Sequence, residues 1–124
     1  MASYEEVQVT WEDQQRIITF GRLNNRFHEI NAELTVQKKR DEDLEDAVNE
    51  VMITDEEEIK YAIGNTFISC DQDSCESRLS IEQTECADRS ELLNIELSET
   101  QASMKVIKEA LYGKFGASIN LEED

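Results

Sequence analysis

The stretch YAIGNTFISC, Tyr61–Cys70, lies between two long charged segments that read as helix. Gly64-Asn65 favours a two-residue hairpin turn, because glycine tolerates positive φ freely and asparagine does so better than most residues. With Ile63 opposite Thr66, the next pairs are Ala62 with Phe67, Tyr61 with Ile68, Lys60 with Ser69 and Ile59 with Cys70. Side chains alternate between faces, so one face collects Ile59, Tyr61, Ile63, Thr66, Ile68 and Cys70. An isolated two-stranded hairpin is marginal in water, and both of its edges carry unpaired backbone groups. The remaining sequence offers no further strand. The expectation is therefore that other chains supply them, most economically by closing several hairpins into a barrel. The alternative is a hairpin folded back on the root of its own helices, which leaves its edges open.

The flanking segments carry a helical seam. Stepping by three and four from Phe20 gives Leu23, Phe27, Ile30, Leu34, Gln37, Asp41, Leu44, Val48 and Val51, and eight of these ten positions are apolar. A mean spacing near 3.5 residues is the signature of a helix that packs lengthwise on another. Gln37 and Asp41 interrupt the seam and could fix its register. Thr10 and Asp13 resemble a capping box, which starts the first helix near Trp11, and at 1.5 Å per residue a helix to Met52 spans roughly 60 Å.

In the second segment, Leu111, Ile107, Met104, Thr100, Leu97 and Leu93 keep the same alternation. Upstream, Ser90, Cys86, Glu82 and Leu79 require two successive steps of four, a stutter. Asp73 and Glu76 read as the cap of this helix. The expected layout is one mainly α domain, a long antiparallel coiled-coil helical hairpin with a β-hairpin at its connection. Its parts are helix 11–52, β-hairpin 59–70, helix 74–112 and a flexible tail 113–124.

Composition agrees. A third of the 124 residues are charged, only 39% are apolar and proline is absent, which suits solvated helices better than a globule. The formal charge of −17 repels phosphates, so nucleic acid and anionic lipid are not expected partners. No run of about 18 apolar residues exists to span a bilayer, and the acidic MASYEEVQV is unlike a secretory signal, so a soluble intracellular protein is expected.

Catalytic chemistry is not legible. Cys70, Cys75 and Cys86 lack a CxxC spacing and have only His28 as a possible imidazole partner, and they read as structural thiols. Asp71–Glu82, DQDSCESRLSIE, places acids at the first, third and twelfth positions of a calcium loop, but Cys75 and Glu76 stand where an oxygen ligand and a glycine are needed. No Gly-rich phosphate loop and no nucleophile for His28 appear, so neither an enzyme nor a cofactor is expected.

The segments VTWEDQQRI, LEDAVNEVM, IGNTFIS and LYGKFGASINLE together resemble the β-class subunits of prefoldin over almost the full chain. The resemblance implies a hexamer of α- and β-class subunits whose hairpins form a double β-barrel and whose coiled coils extend as tentacles. It further implies an ATP-independent co-chaperone of the cytoplasm that holds unfolded proteins such as actin and tubulin and delivers them to the cytosolic chaperonin. Assembly residues would be Ile59, Tyr61, Ile63, Thr66, Phe67, Ile68 and Cys70.

A protein that holds unfolded clients needs apolar surface beyond its own core. Val9, Trp11, Ile17, Ile18 and Phe20 near the start, with Leu111, Tyr112, Phe115, Ile119 and Leu121 near the end, exceed what one seam can bury. They are the expected client-binding tips, although Trp11, Ile17, Phe20, Leu111 and Phe115 could equally knit the helices together. Gly113 and Gly116 would loosen the last turns. The acidic stretches DEDLED, TDEEEIK and LEED read as solvated faces, with basic client segments or the chaperonin as alternative partners. Competing readings are a coiled-coil scaffold for folded partners and a subunit of a nuclear prefoldin-like complex.

Overall fold

The computed structural model describes residues 8–54, 59–63 and 66–121. Helix α1 runs Trp11–Ile53, strands β1 and β2 run Ile59–Ile63 and Thr66–Cys70, and helix α2 runs Gln72–Phe115, followed by a 3₁₀ turn over Gly116–Ser118. The strands pair antiparallel in the register expected from the turn, from Ile59 with Cys70 to Ile63 with Thr66. The turn residues Gly64 and Asn65 themselves lie outside the described residues, as do the side chains of Tyr61, Ile63, Thr66, Phe67 and Ile68.

Contacts divide the chain into two compact units, one drawn from Met1–Ala32 and Asn94–Asp124, the other from Glu33–Leu93. In the second unit, Leu44 and Val51 of α1 meet Cys75, Leu79 and Cys86 of α2 in one buried cluster. The stutter is visible as Glu82 and Ser90 half-buried on either side of buried Cys86. Opposite it stands the polar interruption of α1, where the Cys86 thiol donates to the Gln37 backbone carbonyl at 3.3 Å. Asp41, the other expected interruption, is exposed instead. A carboxylate can leave the interface for water at little cost, whereas Gln37 finds a partner there.

The start of α2 corrects the expected cap. Asp71, not Asp73, accepts the Ser74 N–H at 2.7 Å, and that bond holds its carboxyl below the usual carboxylate range. The helix can begin at Gln72 because β2 ends at Cys70, directly before the cap residue. Gln72 then donates its side-chain amide to the Val51 carbonyl at 2.9 Å, satisfying one of the orphan acceptors that end α1.

The first unit buries Phe20, Ile30, Met104 and Leu111, with the polar side chains Asp13, Asn24 and Thr100 among them. Here α2 does not stop at Tyr112 as expected but continues through Gly113 and Lys114 to Phe115. The terminator is Gly116, whose φ of +55° is the left-handed geometry that commonly closes helices. The two glycines thus predict opposite outcomes. Gly113→Ala meets open space inside a helix and is expected to stabilise by about 0.5–1 kcal/mol. Gly116→Ala is expected to destabilise by about 1 kcal/mol because a Cβ is strained at that φ. Urea denaturation of the two variants checks both signs.

Candidate functional site

The capping box at the head of α1 forms as read from the sequence. Asp13 N–H donates to the Thr10 hydroxyl at 3.2 Å, and Thr10 N–H donates to the Asp13 carboxylate at 3.0 Å. The same carboxylate is buried and pairs with Lys114 from the last turn of α2 and with Arg16 at 3.1 Å. The Lys114 hydrogen bond, followed by the Thr10 backbone bond, holds the Asp13 carboxyl at about 2, down from 3.8. A depressed carboxylate pKa contributes stability that is present above the unfolded value and lost as pH falls through the folded one. The melting temperature is therefore expected to drop between about pH 4 and pH 2, and Asp13→Asn should flatten that part of the profile.

This lock sets what faces water. With Asp13 and Phe20 turned inward, Trp11 and Ile18, seven residues apart and hence on one helix face, point away from the core. Trp11 is 68% and Ile18 47% exposed, and Val9 and Ile17 are exposed beside them. At the other end of the chain the turn at Gly116 brings Leu121 back, so that its N–H donates to the Tyr112 hydroxyl at 3.3 Å. Tyr112, Phe115, Ile119 and Leu121 are all half-buried. Of the ten expected tip residues, Phe20 and Leu111 are core, at 2% and 0% exposure, because both sit on the 3.5-residue seam.

At the hairpin root, Ile59 and Cys70 pack against the cluster formed by Leu44, Val51, Cys75, Leu79 and Cys86. That end of the expected assembly face is therefore used by the chain's own core. Burial, then a hydrogen bond with Cys70, raises the Cys75 thiol to about 11, so it stays protonated and unreactive near neutrality. His28 is exposed, with the Phe27 ring edge-on to it at 5.5 Å. Among the described residues no group of three or more His, Cys, Asp or Glu is placed to hold a metal ion. None of their helices is long and apolar enough to cross a membrane.

Besides Asp13–Lys114, two more ion pairs cross between the helices without a signal in the sequence. Arg26 donates to Glu96 through Nε and Nη2, at 2.6 and 2.7 Å, and this pairing, followed by that of Nη1 with Glu29, raises the Arg26 pKa further. In the other unit Arg89 reaches Glu33 at 2.6 Å. Buried Asn24 was also missed, since the seam had been traced through Leu23; its signal was the four-residue step from Phe20.

The family model described as "Prefoldin subunit" matches residues 14–118, most of the chain. The chain belongs to the prefoldin subunit family. Over 99% of its length it is 37% identical to Prefoldin subunit 4 of Homo sapiens, of which it covers 93%. It is 34% identical to Prefoldin subunit 4 of Saccharomyces cerevisiae across 93% of this chain and 90% of that protein. Probable prefoldin subunit 4 of Dictyostelium discoideum is also 34% identical, over 95% and 90%. The resemblance read from VTWEDQQRI through LYGKFGASINLE thus holds along the whole sequence. The chain is a prefoldin chaperone subunit, similar to the eukaryotic subunit 4, and membership implies association with other prefoldin subunits.

Proposed function

We propose that this chain is one subunit of a hetero-hexameric, ATP-independent co-chaperone of the cytoplasm. Its hairpin joins those of α- and β-class partners in an intersubunit β-barrel. The apolar residues near its two chain ends hold unfolded proteins, with actin and tubulin as the clients, for delivery to the cytosolic chaperonin. The observation that carries the reading is the exposed pair Trp11 and Ile18, together with the half-buried Phe115, Ile119 and Leu121, on a unit whose core already contains Phe20 and Leu111. A folded protein gains nothing by exposing a tryptophan to water, whereas a client's apolar side chain gains a partner.

Each side chain desolvated against a client contributes up to about 1.5–3 kcal/mol. Together the two can therefore supply more than the roughly 1.4 kcal/mol that a tenfold change requires, and Trp11→Ser with Ile18→Ser is expected to weaken client holding by at least about tenfold. The check is light scattering of chemically denatured actin diluted into reconstituted complex, with assembly confirmed by native mass spectrometry. Unchanged suppression of aggregation by the double variant would refute the tip assignment. Capture of a fixed set of folded proteins, with no effect on denatured actin, would favour a scaffold.

A further inference from the structure

Beside the closed core of the first unit lies an open groove of about 280 Å³, lined by Asn24, Phe27, Gln101, Met104, Lys105 and Lys108. Its floor is apolar: half-buried Phe27 from α1 and buried Met104 from α2. Methionine adapts its shape to whatever enters. Lys105 and Lys108 are three residues apart on α2 and so stand on one side of the groove. The Lys108 ammonium lies 5.8 Å from the Tyr112 ring centroid, which keeps it beside the groove. In a chain with 29 acidic and 12 basic residues, the charged residues among the six that line this groove are both lysines.

We propose that this groove selects client segments in which a large apolar residue is flanked by Asp or Glu. The apolar side chain enters against Phe27 and Met104, and the acid meets Lys105 and Lys108. The inference rests on the client-holding reading and narrows it to a class of segment. The net charge of −17 does not forbid it. At physiological salt the Debye length is about 8 Å, so repulsion from distant carboxylates is screened while a contact at about 4 Å survives. The groove therefore favours one or two acids beside an apolar anchor and disfavours polyacidic runs.

A competitor is written into the same chain. Leu121 is followed in sequence by Glu122, Glu123 and Asp124, and its N–H already donates to Tyr112, the residue that Lys108 overlies.

The test is fluorescence anisotropy of the full chain at physiological salt with two labelled peptides. One has a Leu-Phe core flanked by Glu, the other the same core flanked by Ser. The Glu peptide is expected to bind the wild type about tenfold more tightly than Lys105→Gln/Lys108→Gln, with the Ser peptide binding both alike. Phe27→Ser should weaken both peptides together. Equal binding of the Glu peptide to wild type and lysine variant overturns the proposal, as does a parallel loss of both peptides in that variant. A Glu peptide that binds only a chain ending at Ser118 assigns the groove to the tail and also overturns it. So does self-association abolished by the lysine substitutions, which would assign the groove to a second copy. A tenfold ratio in a complex that fails to hold denatured actin refutes the client reading while leaving the groove as a peptide site. A ratio of one with normal holding refutes the groove alone.

Discussion

Replacing Ile30 by alanine is expected to lower the unfolding free energy by about 3 kcal/mol, within the range of about 2–5 kcal/mol for such truncations in packed cores. Ile30 is fully buried, at 0% exposure, on the part of α1 that belongs to the first unit. Three carbons are removed at roughly 0.8 kcal/mol each, and the space left between two helices held in register by the Arg26–Glu96 pair closes only in part. Val36, 62% exposed on the same helix, provides the comparison: Val36→Ala should shift stability by less than about 0.5 kcal/mol. Urea denaturation followed by helical circular dichroism measures both. Equal midpoints for the two variants would mean that the seam does not carry the stability of the pair.

That seam was legible because its cause is local. A 3.5-residue spacing of Phe20, Ile30, Leu44 and Val51 states which face must leave water, whatever covers it. The strand register was legible for a similar reason: a two-residue turn at Gly64-Asn65 leaves one pairing, and the strands adopt it. The start of α2 was misread by two residues because DSCE offers an acid and a glutamate at capping spacing, while the true cap, Asp71, depends on where β2 ends. The end of α2 was misread because two nearby glycines look alike in sequence, and only Gly116 takes the left-handed conformation.

The functional surface was only half legible. Sequence identified an excess of apolar residues near both ends and set Ile18, Ile119 and Leu121 off the seam, but it left Trp11, Ile17, Phe20, Leu111 and Phe115 undivided between core and client contact. Phe20 and Trp11 are both large and aromatic; one is core and the other surface, and Asp13, locked by Lys114, fixes the rotation of the first turns that separates them. Asp13 and Lys114 are separated by 101 positions, and Arg26 and Glu96 by 70. In a chain with so many charges, nothing local singles out these partners. Their pairing follows from the antiparallel packing of α1 on α2, which sequence gives only to within a turn or so of helix. The lysine-flanked groove was missed for the same reason, since Phe27 and Met104 both look like ordinary seam residues until the helices are placed.

Converting Tyr61 and Ile68 to aspartate is expected to abolish co-assembly with partner subunits while leaving the helices folded. The register pairs these two residues, and the alternation read from the sequence assigns them to the same expected assembly face as Ile59 and Cys70. At its root that face rests on the chain's own core, through Ile59 and Cys70. The two strands are the only sheet among the described residues, so both outer edges lack a ladder partner there. The contact of Ile59 and Cys70 with the chain's own core is what a folded-back hairpin would show at its root, whereas strands without a third neighbour favour completion by other hairpins. Burying even one unpaired carboxylate in such an interface costs several kcal/mol, which lowers association by a factor of about a hundred or more. Native mass spectrometry of the variant mixed with partner subunits, alongside helical circular dichroism, reads both halves of the expectation. An intact complex of the double aspartate chain with partner subunits would mean that the hairpin face lies outside the subunit interface, and that assembly runs through the helices instead.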